Sequence, residues 1–384
     1  MLTKSIFLKS FLKKKSEKKL KKLFYSIINQ ENQVFKSMSK DYVDKYNFKK
    51  IKKISKKNQV RIIGMGGSIL GAQAIYCFLK DKIKKNFDFT NNLNASENLK
   101  DKKEITNLVI SKSGNTLETI INVNLFLKKK KNIFITERKE SYLFNLASKL
   151  KAEIINHNNF IGGRYSVLSE VGMLPAHLMG LNPKKFRCLN DLIKNKKFVN
   201  LLVQNTNSIL HYSKEKKFNS IILNYDPKSE SLFQWYQQLV AESLGKKGKG
   251  ILPIISAMPK DNHSVTQLYL DGFQNNFFTF FYFKDKKSHR LNKSKLLPSH
   301  KFLGSKKVSE IIFKQKIATE NIFKSKNIPF RSFEINKRDE KTLGEIFCYF
   351  MLETILLGRA LKINPFDQPA VELIKKETKK LFFN

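Results

Sequence analysis

Leu108 to Thr119 reads LVISKSGNTLET, with hydroxyl and cationic groups gathered at one bend. The apolar run Leu108-Val109-Ile110 stops at Ser111-Lys112-Ser113-Gly114, and a helical stretch with Leu117, Ile120 and Ile121 follows. A strand, turn and helix joined in this way aim free backbone N–H groups and the positive end of the helix dipole at one point. Ser111, Ser113 and Thr116 add hydroxyl donors and Lys112 adds a cation, a set suited to a phosphate monoester. The turn lacks the Lys-Ser/Thr ending of a nucleotide P-loop, so a triphosphate with magnesium is not its natural ligand. The same residue types also make an ordinary helix cap, and on this stretch alone the two readings stand level.

A second candidate turn lies upstream. Val60 to Ile63 is a buried-strand run that ends in Gly64-Met65-Gly66-Gly67-Ser68 and passes into helical Ile69 to Leu79. Glycines there let a ligand approach the backbone closely and give Ser68 Oγ a clear reach. The turn resembles a dinucleotide fingerprint only loosely, because the third glycine falls in the wrong place. Two such turns at strand ends of one parallel sheet can converge on one ligand. Further on, Ile161-Gly162-Gly163-Arg164-Tyr165-Ser166 is too glycine-rich and polar for a strand. Its tight bend suits presentation of the Arg164 guanidinium to an anion, against the plainer reading of a surface arginine in a loop. Glu242 and Gln238 fall on an amphipathic helix, Ser231 to Leu244. Taken singly, Glu242 reads as a surface carboxylate, His263 as a helix-start histidine and Lys375 as one lysine among many.

The elements that must position these groups alternate. Strand candidates at Phe87 to Phe89, Asn132 to Ile135 and Ala152 to Ile155 are interleaved with helical patterns, which predicts a right-handed, doubly wound parallel sheet. The pattern restarts near Asn190. Phe218 to Leu223, Asn276 to Phe283 and Pro329 to Ile335 read as strands, and helices are expected at Ser231 to Leu244, near Ser305 to Lys324 and at Leu343 to Leu361. Residues up to about Lys57 read as Lys-rich helix. The expected organisation is a helical segment at 1–57, a first α/β domain at 58–190, a second at 191–342, and C-terminal helices at 343–384 packing back on the first domain. The last helix runs from about Ala370 through Lys375 to Leu381.

Composition sets the outer bounds. A chain of 384 residues with 41% hydrophobic content and 32 Phe can bury substantial cores. No apolar run reaches the length of a membrane span and no signal peptide is apparent; MLTKSIFLKSFLKKK has no Arg and leads straight into helix-like sequence. Cys77, Cys188 and Cys348 lack metal spacing and fit reduced thiols in a cytoplasmic protein. The formal charge of +41 raises nucleic-acid or membrane binding. Yet the lysines run through every segment, and the densest cluster, Lys13 to Lys22, reads as one solvated helix face. Neither nucleic acid nor membrane is expected as a partner, while a positive field would still steer an anionic small substrate.

Five separated stretches together resemble one family. GMGGSILG (Gly64 to Gly71), SKSGNTLET (Ser111 to Thr119), GGRYSVLSEVG (Gly162 to Gly172), QLVAESLGK (Gln238 to Lys246) with DNHSVTQ (Asp261 to Gln267), and NPFDQPAVELIK (Asn364 to Lys375) are similar, in order, to glucose-6-phosphate isomerase of the compact bacterial type. Asn115 and Ala370 depart from the usual pattern. The resemblance implies two doubly wound, three-layer α-β-α sugar-isomerase (SIS-type) domains with a C-terminal helical arm. It implies interconversion of glucose 6-phosphate and fructose 6-phosphate through ring opening and an enediolate, with no metal or cofactor. Under it, Gly67, Ser68, Ser111, Ser113 and Thr116, with Lys112 through its backbone, hold the sugar phosphate. Arg164 stabilises the enediolate, Glu242 is the base, His263 and Lys375 act in ring opening, and Gln238 and Gln368 line the site. It further implies a homodimer in which His263 reaches the neighbouring subunit's site. The alternatives are a dual phosphoglucose/phosphomannose isomerase and a non-catalytic sugar-phosphate sensor.

Overall fold

The computed structural model describes residues 1–11, 18–55, 59–95, 105–127 and 131–383. Its strands are β1 (Ile6–Lys9), β2 (Gln59–Ile63), β3 (Phe87–Thr90), β4 (Ile105–Ile110), β5 (Asn132–Thr136), β6 (Glu153–Asn156), β7 (Asn219–Asn224), β8 (Leu252–Ala257), β9 (Asn276–Phe283) and β10 (Phe330–Ile335). Helices of eight residues or more are α1 (Lys18–Ile28), α2 (Leu70–Phe78), α3 (Leu117–Phe126), α4 (Tyr142–Lys149), α5 (Glu170–Leu178), α6 (Lys196–Lys214), α7 (Glu230–Leu244), α8 (Val308–Ser325), α9 (Glu340–Ala360) and α10 (Val371–Leu381). None of the described helices is long and apolar enough to cross a membrane.

The first sheet is ordered β3-β2-β4-β5-β6 and is parallel throughout. β4 and β5 are buried at every position, as expected where helices cover both faces and alternation gives way to continuous apolar runs. From β2 the chain turns to β3 on one side, and β4 then pairs on the other. That reversal opens a crevice at the carboxyl ends of β2 and β4, where ligands of such sheets bind. In register, Ile62 faces Leu108 and Ile63 faces Val109. The Gly64 and Ser111 turns therefore leave neighbouring strands at the same end.

The second sheet is ordered β1-β10-β9-β7-β8, parallel except for β1, which runs antiparallel along β10 from Ile6↔Ile335 to Lys9↔Ser332. β1 corrects the expectation of helix throughout the first 57 residues. Its four positions alternate between buried and exposed, with Ile6 and Leu8 inward. Such a signal is too short to separate from a helix face, and its partner strand lies at the far end of the chain. β8 also escapes a strand reading because Pro253 interrupts the run; it is tolerated at a sheet edge.

One hydrophobic cluster spans the facing sides of both sheets, and two smaller ones lie beneath their outer helices. α9 runs through the large cluster. Phe347 meets Trp235 of α7 edge-on at 4.8 Å, Phe350 meets Tyr236 at 4.7 Å, and Tyr349 touches Phe198 of α6 and Phe333 of β10. Trp235 and Tyr236 are thus core residues that fix α7, which carries Gln238 and Glu242, to α9, and α7 also packs against the first sheet's α2. Lys18 to Lys22 lie on α1, which turns Leu20, Phe24 and Ile27 inward; the rest of the Lys13 to Lys22 cluster lies outside the described residues.

Candidate functional site

At the end of β4, Thr116 occupies the N-cap position of α3 but makes no side-chain cap bond. Its Oγ1 lies instead 3.0 Å from Ser111 Oγ. The first N–H groups of α3 therefore have no side-chain cap, which favours an anion cradle over the ordinary cap. Gly114 has φ +69°, and a Cβ there would stand 2.1 Å from Ser141 Oγ, so only glycine fits the bend. Ser113 Oγ accepts from Asn115 N–H at 3.3 Å, while Asn115 Oδ1 accepts from Tyr142 N–H at the start of α4. The Lys112 ammonium turns aside to donate to Asn159 O at 2.6 Å and lies 3.9 Å from the Glu137 carboxylate. Burial holds its pKa below the usual lysine value, opposed by Glu137. What Lys112 offers the turn is backbone.

The other glycine turn joins this edge to α7. Gly64 packs against β4, where an added Cβ would lie 2.9 Å from Ile110 O. Gly66, at φ +53°, leaves room for Gln238, whose Nε2 would sit 2.6 Å from a Cβ at that position. At Gly67 a Cβ would come within 2.1 Å of the Gly163 carbonyl carbon. So the Gly64 and Gly163 segments meet backbone to backbone, and the Gln238 side chain of α7 packs on Gly66. The Ser68 hydroxyl, at the end of the Gly66–Ser68 3₁₀ turn, is half-buried and makes no hydrogen bond among the described residues.

Arg164 sits in the 3₁₀ turn Gly163–Leu168 and is fully buried, not a surface arginine. Nε donates to Ser243 Oγ (2.8 Å). Nη1 donates to Glu242 Oε2 (3.1 Å) and Gln368 Oε1 (2.6 Å). Nη2 donates to Pro365 O (2.8 Å) and Asp367 O (3.0 Å). All five guanidinium protons are engaged. Glu242 has its second oxygen, Oε1, 2.9 Å from Gln238 Nε2, and its side chain is 27% exposed. The carboxylate is thus fixed from both sides yet open to an incoming molecule. Gln238 Oε1 is buried with no hydrogen-bond partner among the described residues.

Within one chain, Arg164, Glu242, Gln238 and Gln368 come together, and the Gly66 turn borders them at Gln238. His263 does not join them. It lies exposed in the 3₁₀ turn Lys260–His263 beyond β8. Lys375 is on α10, which buries no residue, and its Nζ donates to Glu372 Oε1 at 2.6 Å. Among the described residues neither bonds to Arg164 or Glu242.

Ser243, Tyr165 and Lys246 enter the site without having been singled out as candidates. Tyr165 OH is 2.8 Å from Ser243 Oγ and donates to Pro365 O at 3.1 Å, and Trp235 Nε1 donates to Arg164 O. Tyr165 and Ser243 flank expected site residues and Lys246 ends a matched stretch, but the sequence alone offers no reason to prefer them over other neighbours.

Comparisons with known proteins identify the family and the fold. A family model for phosphoglucose isomerase matches residues 11–251. A glucose-6-phosphate isomerase of Methanocaldococcus jannaschii is 31% identical over 361 residues, covering 88% of this chain and 87% of that protein. The crystal structure of a hypothetical protein from Thermus thermophilus superposes with a TM-score of 0.83 at 20% identity, covering 95% of this chain and 94% of that one. A glucose-6-phosphate isomerase structure from Chlamydia trachomatis superposes with a TM-score of 0.72 at 16% identity, covering 95% and 83%.

Proposed function

This chain belongs to the phosphoglucose isomerase family, and from that membership and the site geometry we infer that it interconverts glucose 6-phosphate and fructose 6-phosphate. The single observation that carries the inference is the Glu242 carboxylate, held between Arg164 Nη1 and Gln238 Nε2 and still open on one side.

Moving the carbonyl from C1 of the open aldose to C2 of the ketose requires a proton to leave C2 and return at C1, while the hydroxyl proton passes from O2 to O1. Glu242 takes the proton and gives it back, a task for a positioned carboxylate. Charge then builds on the adjoining sugar oxygens, and the Arg164 guanidinium faces it from a buried position that is already organised. The Ser111 to Thr116 turn and Ser68 hold the phosphate, with Gly67 giving close backbone approach. That anchor fixes the far end of the sugar and aligns the reacting carbons. Gln238 Oε1, an acceptor without a donor among the described residues, takes a sugar hydroxyl.

Ring opening needs an acid at the ring oxygen and a base at the anomeric hydroxyl, and His263 and Lys375 serve there. His263 is exposed on its own chain, which supports its delivery to the site of a second copy in a homodimer. Lys375, on α10, follows Gln368, the residue bonded to Arg164, by seven residues. Residues 58–190 and 191–342 make the two sugar-isomerase-type units in this scheme, with β1 from 1–57 completing the second sheet and 343–384 following. The cytoplasm, where the three unpaired cysteines remain reduced, is its proposed location.

Incubation of purified protein with glucose 6-phosphate, read by an assay coupled to fructose 6-phosphate, tests the function. Conversion is expected. Binding of the sugar phosphate without conversion would overturn it in favour of a sensing module, and equal turnover of mannose 6-phosphate would widen it to the dual isomerase.

A further inference from the structure

Lys246 closes the matched stretch QLVAESLGK, and the proposed mechanism gives it no task. Unlike most lysines of this chain it is withdrawn from water, its side chain 12% exposed. Its ammonium donates to three acceptors, all on the segment that ends the core helix α9 and leads to α10. They are Asn364 O, Asp367 O and Asp367 Oδ1, the last at 2.7 Å. An ammonium has three protons, so the set is complete. The bond to Lys246 holds the Asp367 carboxyl below the usual carboxylate range.

The opposite side of the same segment grips Arg164. Pro365 O and Asp367 O accept from Nη2, and Gln368 Oε1 accepts from Nη1. The Asp367 carbonyl is shared by both cations. Asn364 braces the bend from within, its Oδ1 accepting from Phe366 N–H and its Nδ2 donating to Asp367 Oδ2. Lys246 stands four residues after Glu242 and three after Ser243, the acceptor for Arg164 Nε. The end of α7, the 364–368 segment and the guanidinium thus form a closed ring, in which Lys246 ties the first two together.

We propose that Lys246 is a positioning residue for the isomerisation: it latches residues 364–368 to the end of α7, so that Pro365, Asp367 and Gln368 hold the Arg164 guanidinium in register with Glu242. The latch rests on the isomerase function inferred above. It acts on the reacting carbons and not on the phosphate, which binds at the carboxyl edge of the first sheet. Loosening it therefore lowers kcat and leaves KM nearly alone, because misplacing an organised charge costs rate more than affinity.

The test compares steady-state kinetics of wild type, Lys246→Met, Lys246→Arg and Asp367→Ala on glucose 6-phosphate, with thermal unfolding followed in parallel. Lys246→Met is expected to lose about 10- to 100-fold in kcat with KM within about threefold, and Lys246→Arg to recover a large part of the loss. Asp367→Ala, at a half-exposed carboxylate, is expected to lose about threefold or more in kcat, and it carries the test if Lys246→Met does not fold. Wild-type kcat in Lys246→Met, or in Asp367→Ala where only that variant folds, overturns the latch; so does a loss confined to KM. An inactive wild type would instead overturn the isomerase function, and the latch with it.

Discussion

The Arg164 guanidinium meets the Glu242 carboxylate at 3.1 Å, and no N–H of the arginine is left over. Three of its five bonds run to Ser243 and to two backbone carbonyls that cannot move far. A substrate oxygen can reach the guanidinium only by replacing Gln368 Oε1 or Glu242 Oε2 on Nη1. The guanidinium is thus satisfied by the protein's own groups, which keeps a buried charge from standing unpaired. Binding then becomes an exchange of acceptors on one nitrogen.

Arg164→Lys tests that fork directly. Lysine keeps the charge but brings three donors to five acceptors and cannot span Ser243, Glu242 and the 365–367 carbonyls together. The expected result is a kcat loss of about 100-fold or more and a lower unfolding temperature. Near-wild-type turnover would show that charge alone, without the fork, suffices.

Gly114→Ala addresses the phosphate turn. The residue sits at φ +69°, and a Cβ would meet Ser141 Oγ at 2.1 Å, so the turn must distort. KM for the sugar phosphate should rise about tenfold or more, with kcat at saturation falling much less. An unchanged KM would remove this turn from substrate binding.

Mixing two inactive variants tests the shared site. In a hybrid of Glu242→Gln and His263→Gln chains, one site carries both lesions and the other carries neither. Random pairing from co-expression makes half of the dimers hybrid, so activity should return to about a quarter of wild type. Activity no higher than the sum of the parents would mean that each chain supplies its own histidine.

Much of this was readable in advance where local signals are strong. The β9 run Asn276–Phe283 and the strands before the two glycine turns show in the apolar pattern alone, because parallel strands buried on both faces read as continuous apolar runs. β1 and β8 were not readable. One is a four-residue edge strand whose partner is remote in sequence, and the other carries a proline. At the site, Arg164, Glu242 and Gln238 were identifiable by residue type and motif. Ser243, Tyr165 and Lys246 were not, since their roles arise from hydrogen bonds across distant segments that no spacing encodes. The burial of α9 along nearly its whole length likewise follows from packing on α6, α7 and β10.

His157 supplies a pH dependence. It is buried, and burial is the main cause that lowers its pKa to about 4, with Lys112 adding to the effect and the contact to Asn158 O opposing it. The unfolded chain binds this proton below about pH 6.5 and the folded chain only near 4. Stability from this group is therefore complete above pH 6.5 and is lost as pH falls toward 4, by about 3 kcal/mol in total. Urea unfolding of wild type and His157→Gln at pH 7, 5.5 and 4.5 should show a shallower decline in the variant. Parallel declines would contradict the assignment.

Turnover and binding measured on Glu242→Gln test the central claim most directly. The amide keeps the shape of the side chain and removes its capacity to accept a proton. Conversion of glucose 6-phosphate should fall by at least about 1,000-fold, while titration calorimetry with the same sugar phosphate gives an affinity within a few-fold of wild type. Retained turnover in that variant would contradict the account.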